Sequence, residues 1–280
     1  MFERLIATVV WGAALLVAGM LLWILGDILW HGMERLSLDF LISTPQDAGR
    51  AGGIAPILVA TLLILAVCLA AALPIGLGAA VFLAEFAGDH SPLGRAVRRS
   101  LDVLAGMPSI VFGLFGYVFF AQVLGLGFSI LSGGLTLACM VLPLLIRATE
   151  EGLRAAPSEY RLGAAALGLS RAAALRHLLL PAALPGLLAG LVLSVGRALA
   201  ETAALLYTSG YVDRMPDALT DSGRALSIHI FELSMNVPGG NASAYASALV
   251  LVLLLMLINA GAAGLARRWW QRHHGEGSHT

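Results

Sequence analysis

The sequence predicts an all-α integral membrane protein with six transmembrane helices. Three observations predict it. Hydrophobic residues make up 59% of the 280 positions and charged residues only 12%, where a soluble domain carries about 25% charged residues. Six apolar segments approach the roughly 20 residues that a helix needs to cross a bilayer. The arginines, which supply every basic side chain apart from histidine, fall unequally on the two sides that alternating spans create.

The first segment, 5–30, is too long for a secretory signal and has no small-residue cleavage site after it, so it reads as a retained helix. The second, 54–84, and the fourth, 128–146, carry Pro74 and Pro143. Each proline frees a backbone carbonyl, which is tolerable in a bilayer only where neighbours or water satisfy it. The third span, 101–124, is followed closely by Gly125 and Gly127, and with Gly113 and Gly116 these serve close packing or a hinge. The fifth and sixth spans cover 182–207 and 244–266. The amino-terminal tip, loops 85–100 and 147–181, and the tail hold twelve arginines: Arg4, Arg95, Arg98, Arg99, Arg147, Arg154, Arg161, Arg171, Arg176, Arg267, Arg268 and Arg272. Loops 31–53 and 208–243 hold Arg35, Arg50, Arg214 and Arg224. The positive-inside bias puts the first set, and with it both termini, in the cytoplasm. Trp23, Trp30, Trp269 and Trp270 suit interfacial anchors in contact with membrane lipid.

Several function classes drop out. The chain has no lysine, so a phosphate-cradling nucleotide loop is impossible, and it cannot hydrolyse ATP itself. It carries no zinc signature, serine-nucleophile elbow or dinucleotide fingerprint, and no stretch is long enough for a soluble catalytic domain. No enzymatic activity, cofactor, metal site or nucleic-acid partner is expected. Cys68 and Cys139 sit in apolar runs and read as buried hydrophobes. His31, His90, His177 and His229 are scattered, and the tail histidines His273, His274 and His279 read as solvated.

The most informative loop runs from Pro157 to Pro181. Ser158 suits the cap of a helix through the alanines, Gly168 a left-handed turn that ends it, and Ser170 the cap of a second short helix. Pro181 is expected to break that second helix before the fifth span. The product is a helix-turn-helix at the membrane surface whose small side chains let another surface approach closely.

This stretch resembles the cytoplasmic motif of ABC-importer permeases: Glu-Ala-Ala, three residues, Gly, nine residues, Ile, one residue, Leu-Pro. Gly168 matches the glycine, Leu178 stands in the isoleucine position, and Leu180-Pro181 match the final pair. Gly163 and Ala164 fill the alanine positions, and Leu162 replaces the glutamate. The resemblance implies a type I (MetI-like) importer permease fold in which 158–178 docks in a groove of a separate ATPase. Further runs resemble permeases of Pst-type phosphate importers: Gly52-Gly53-Ile54-Ala55-Pro56, Leu73-Pro74-Ile75-Gly76-Leu77-Gly78, Met107-Pro108-Ser109-Ile110, Leu142-Pro143-Leu144-Leu145-Ile146-Arg147, and Gly196-Arg197-Ala198-Leu199-Ala200-Glu201-Thr202. In the last, Ala200 replaces the usual glycine. The outer segment ending Met235-Asn236-Val237-Pro238-Gly239-Gly240 is similar to the PstA subtype. On this resemblance residues 1–50 form a first helix and outer loop, 51–268 the permease core, and 269–280 a cytoplasmic tail.

Arg197 and Glu201 are placed inside the fifth span. An arginine at mid-bilayer costs about 2.5–3.5 kcal/mol even on the mildest scale. At about 100° per residue, Gly186, Gly190, Ser194, Arg197 and Glu201 share one sector of the helix, and the glycines mark a packing face. Two readings stay open: a neutral ion pair pinning the helices, or a guanidinium that meets phosphate, tempered by Glu201 so that the anion leaves. Ser132, Thr136, Cys139, Pro143 and Arg147 form a similar stripe on the fourth span. Arg147 is either a second contact on the path or an ordinary positive-inside residue. Asp102 reads as a favourable charge at a helix start, and Asp27 as interfacial.

The resemblance implies half of the membrane path of an ATP-driven bacterial phosphate importer in the inner membrane. Its partners would be a cytoplasmic ATPase dimer, a PstC-like sister permease and a periplasmic phosphate-binding protein. Rival expectations are a same-fold permease for sulfate or molybdate, or a stand-alone secondary transporter. The latter calls for an inverted repeat that the sequence does not display.

Overall fold

The computed structural model describes residues 2–87 and 91–274, with side chains for 3–4, 6–87 and 91–264. His90, His279 and the side chains of Trp269, Trp270, His273 and His274 fall outside that description. The chain is almost wholly helical. Five helices are long and apolar enough to cross a membrane, and a sharply bent pair supplies a sixth crossing.

Helix α1 (Phe2–Met33) packs against α12 (Asn241–His274), and its apolar window has no buried residue. Trp23 and Trp30 project from it, as interfacial anchors do. Asp27 accepts a hydrogen bond from Tyr245 Oη at 2.9 Å and lies 3.1 Å from His31 Nδ1. An acidic group on an apolar helix is thereby satisfied across the α1–α12 contact.

A short outer elbow follows, made of α2 (Leu38–Ile42) and a two-residue hairpin of β1 (Pro45–Gln46) and β2 (Ala51–Gly52). Ser37 caps α2 through Phe40 N. The elbow places Pro56 in the first turn of α3 (Ala55–Val81), where its missing N–H costs nothing.

The core is α6 (Ile130–Arg154) sandwiched between α3 and α9 (Leu180–Leu199). Small residues bring these backbones together. A Cβ on Gly134 would come within 2.6 Å of Val67 Cβ, one on Gly190 within 2.7 Å of Ala148 Cβ, and one on Gly186 within 2.6 Å of Gly152 Cα. The glycine face read from the sequence of the fifth span is therefore a packing face. Ile64, Cys68, Leu137, Val141 and Leu145 fill the interface.

Three elements depart from the sequence expectation. The third span is not one helix: α4 (Pro92–Gly106) and the helix that starts with α5 (Ser109–Gly116) and runs to Val123 meet at 103°. Pro108 explains the break, because it forces Met107 into extended backbone (φ −72°, ψ 136°). Gly113 and Gly116 serve packing, the first against Ala204 and the second against Thr136. Next, Pro181 does not stop a helix. The chain is helical from Arg171 through Leu199, and a π-turn at Leu175–Leu179 absorbs the proline, with Leu180 N bonding Leu175 O. Widening the turn relieves the clash that a proline ring makes with the carbonyl four residues earlier. The fifth span is also interrupted: α9 ends at Leu199 and α10 (Ala203–Leu206) restarts after Ala200–Thr202. The polar stripe read on the fourth span does turn inward at its outer end. Ser132 and Thr136 are fully buried, donating to Gly127 O and Ser132 O.

Packing at Gly186 yields a paired test. Gly186→Leu is expected to cost about 1–3 kcal/mol by overpacking. Gly196→Ala, where an added Cβ meets no heavy atom within 4 Å, is expected to be silent. Thermal unfolding of the detergent-purified chain reads both, and equal melting points for the two variants would contradict this packing.

Candidate functional site

At one end of the bundle the chain forms the anticipated helical hairpin. Helix α7 (Ser158–Ala166) begins after Pro157, which holds the extended capping position, so Ser158 is the first helical residue and not the cap. The turn is a Schellman motif: Leu169 N bonds Ala164 O at 3.0 Å and Gly168 N bonds Ala165 O at 3.1 Å. It requires φ of +66° at Gly168, a left-handed conformation that glycine adopts without a Cβ penalty. Ser170 then caps α8 (Arg171–Ala174) through Ala173 N at 3.2 Å.

The sequence-predicted docking residues divide into two sets. Ala164 is buried against the bundle, whereas Leu162 is 69% exposed and Gly163 and Gly168 face open space. Leu167 is 79% exposed. Leu178 lies within the π-turn, and Leu180 and Pro181 follow it at the root of α9, where Leu180 packs on a buried cluster of Leu83, Leu153 and Leu179. The hairpin therefore presents small and apolar groups outward and is rooted inward.

Its root is ionic, which sequence reading missed. Arg161 grips Glu85 at the end of α3 with two bonds, Nη2–Oε1 at 2.6 Å and Nε–Oε2 at 3.4 Å. The same guanidinium donates to Leu153 O and Ala156 O at the end of α6. One side chain thus ties α7 to two core helices. Next to it, buried Glu150 accepts from Arg98 Nε at 3.0 Å and Arg154 Nε at 3.1 Å, while Arg98 Nη2 reaches Leu83 O. Arg147 pairs with Asp102. Asp102 is therefore no charge at a helix start; it lies toward the end of α4 and neutralises Arg147 from across the bend.

Arg197 and Glu201 are not an ion pair among the described residues. The helix ends between them. Glu201 Oε1 instead accepts from Ala204 N at 3.1 Å, capping α10. Its backbone carbonyl accepts from Ser227 Oγ at 2.6 Å, at the start of α11 (Leu226–Met235). Thr61 Oγ1 of α3 receives Leu226 N at 2.9 Å. Helix α11 is thus an inserted half-length helix whose inner end is stitched to the break in the fifth span. Arg197 has no hydrogen bond or ion pair among the described residues and is exposed. With Pro185, Ala189, Leu193 and Ala200 it forms one exposed stripe along α9, at spacings that keep residues on one helical face. The guanidinium emerges from an otherwise apolar surface beside the face packed on α6.

Comparisons with known proteins fit this geometry. Residues 72–271 match a family described as "Binding-protein-dependent transport system inner membrane component". A relative from Bacillus subtilis (strain 168), the "Probable ABC transporter permease protein YqgI", is 30% identical over 91% of this chain and 90% of its own length. "Phosphate transport system permease protein PstA 2" of Mycobacterium bovis is 32% identical over 79% of this chain and 74% of its own. The PstA of Pasteurella multocida is 34% identical over 68% and 67% respectively. In fold, the chain superposes on the inward-facing MetNI methionine ABC transporter with a TM-score of 0.63, at 19% identity, over 76% of this chain and 96% of that one.

Helix α11, too short to count as a span, buries His229 with Nδ1 unpartnered. Burial, and then the charge of Arg224, push the His229 pKa down from 6.5 to about 3. The folded chain therefore holds this imidazole neutral where the unfolded chain binds a proton. Stability is fullest above pH 6.5 and declines as pH falls toward 3. His229→Leu is expected to flatten that acid dependence in thermal unfolding followed across pH. An unchanged slope would assign the acid sensitivity to other groups.

Proposed function

We propose that this chain, which belongs to the family of binding-protein-dependent transport system inner membrane components, is the permease subunit of an ATP-driven phosphate importer and lines half of its path. Being an ABC transporter permease, it works with ATP-hydrolysing and substrate-binding partners. The assignment to phosphate draws support from the PstA relatives. One observation carries it: the unpaired Arg197, exposed on the apolar stripe of α9. A guanidinium facing lipid is costly, so the stripe belongs against water or another protein, where a sister permease of the PstC kind closes the path. Arginine binds phosphate oxygens two at a time and keeps its charge at every relevant pH.

In this reading Glu201 is a positioning residue. It holds the restart at α10 and, through Ser227, the tip of α11, and so fixes the level at which Arg197 leaves the helix. Arg147, already neutralised by Asp102, serves the inner end of the path as a paired charge and not as a free anion site. The hairpin 158–178 docks on the ATPase through Leu162, Gly163 and the Gly168 turn. With Leu162 in place of a glutamate, that contact is apolar. Movement of the ATPase pair passes through Arg161 to α3 and α6 and rocks the bundle between two openings. Both termini and the hairpin lie in the cytoplasm, on the side with the arginine excess.

Two substitutions test this in proteoliposomes holding the assembled complex. Arg197→Ala is expected to abolish uptake of labelled phosphate while assembly persists, because Arg197 makes no hydrogen bond or ion pair among the described residues. Normal uptake would refute the path role, and uptake of sulfate in preference to phosphate would refute the substrate. Gly168→Val forces a β-branched residue into the left-handed region at about 1–2 kcal/mol. It is expected to leave ATP hydrolysis running while transport falls at least tenfold; tight coupling in this variant would exclude the hairpin as the docking element.

A further inference from the structure

Helix α4 has a face that neither its own bundle nor the transport reading accounts for. Its inner side is fixed. Leu101 is buried, Gly94 lies against Ala87, Arg98 reaches Glu150 and Leu83 O, and Asp102 pairs with Arg147. The opposite side is exposed and mixed. Arg95 and Arg99, one turn apart, have no hydrogen bond or ion pair among the described residues. Beside them Leu93 is 59% and Val103 66% exposed, with Ala96 between.

Placement says which medium suits that mixture. The crossing from Ser109 to Val123 has 15 residues, about 22 Å of helix against a hydrocarbon core of about 30 Å. The 103° bend turns α4 from that crossing to run across the edge of the bundle. Its anchors, Leu83 and Glu150, lie within a turn or so of the ends of the helix through Phe86 and of α6. Helix α4 is therefore level with the boundary between hydrocarbon and water. There, apolar side chains on one flank meet acyl chains while guanidiniums on the other meet headgroups. The apolar flank distinguishes this from a face built for an aqueous protein partner. Among the described residues no acid pairs with either arginine, and Asp102 on the same helix is taken by Arg147.

We propose that the exposed face of α4 binds anionic phospholipid, with Arg95 and Arg99 clamping a headgroup phosphate and Leu93 and Val103 resting on its acyl chains. Because α4 carries both Arg98 and Asp102, a lipid held there would brace the ionic root of the hairpin. The test uses the assembled complex in phosphatidylcholine nanodiscs with and without phosphatidylglycerol, and native mass spectrometry to count retained lipid. Replacing both arginines (Arg95→Gln with Arg99→Gln) is expected to weaken phosphatidylglycerol retention about 25-fold, roughly fivefold for each charge. Phosphatidylcholine retention should not change. Arg95→Lys with Arg99→Lys should keep most of the binding. Undiminished phosphatidylglycerol in the double glutamine variant overturns the proposal. So does loss of the ATPase subunit at unchanged lipid retention, which would make the face a protein contact. Equal retention of phosphatidylcholine and phosphatidylglycerol by the unsubstituted complex would overturn it as well, since the face would then not respond to headgroup charge.

Discussion

A guanidinium in hydrocarbon without an anion or water costs about 2.5–3.5 kcal/mol on the mildest scale, and much of this bundle is arranged around that cost. Arg98, Arg147, Arg154 and Arg161 stand at one end of the core helices, and each is met by a carboxylate from the same chain. Those carboxylates, Glu85, Asp102 and Glu150, come from three different helical segments, with Glu150 meeting both Arg98 and Arg154. Neutralising the arginines therefore fixes the relative positions of α3, α4, α6 and α7. Arginines left unpaired among the described residues are informative for the same reason. Arg197 on α9 and Arg95 with Arg99 on α4 point to surfaces where something outside the chain, or water, supplies the counter-charge.

Ion pairs at the bundle end would mean little for mechanics if the helices slid freely beneath them. They do not, because small-residue contacts set the inter-helix distances. Gly186 against Gly152 and Gly134 against Val67 leave no room for a methyl group, and a close-packed interface moves as a unit or not at all. Arg161 thus ties α7 to two helices that are themselves closely packed together. A groove of about 240 Å³ opens beside the Arg161–Glu85 pair, lined by Phe86, Ala164, Leu169 and Leu175 among others, so the hairpin is held at its ionic root without being packed solid against the bundle there.

How much of this was legible in the sequence follows from the range of each interaction. Spans, the Gly168 turn, the Ser170 cap and the glycine face of α9 are set by residues within a few positions of one another, and all were readable. The Arg161–Glu85 pair joins residues 76 apart, and nothing local to either announces the other. Prolines misled in both directions. Pro108 was placed within a continuous span although the residue before a proline favours extended backbone, a signal that was present and unused. Pro181 looked like a stop, but a π-turn accommodates a proline wherever neighbouring packing holds the helix on both sides, and that packing is tertiary. The period arithmetic that put Glu201 beside Arg197 assumed an unbroken helix. No glycine or proline marks positions 200–202.

That break bears on what the acidic residue does. A helix ending within a membrane leaves carbonyls without partners, and each needs one. Here Ser227 Oγ satisfies the Glu201 carbonyl, Thr61 Oγ1 takes the first N–H of α11, and the Glu201 carboxylate takes an N–H of α10. All three bonds are internal, and all three are made by groups that an anion would otherwise attract or meet. The acid is engaged by backbone and forms no ion pair with Arg197 among the described residues. If Glu201 had stayed on the helix and paired with Arg197, the guanidinium would be a poor site for a passing anion. Breaking the helix between them separates the two charges and leaves the positive one to act alone.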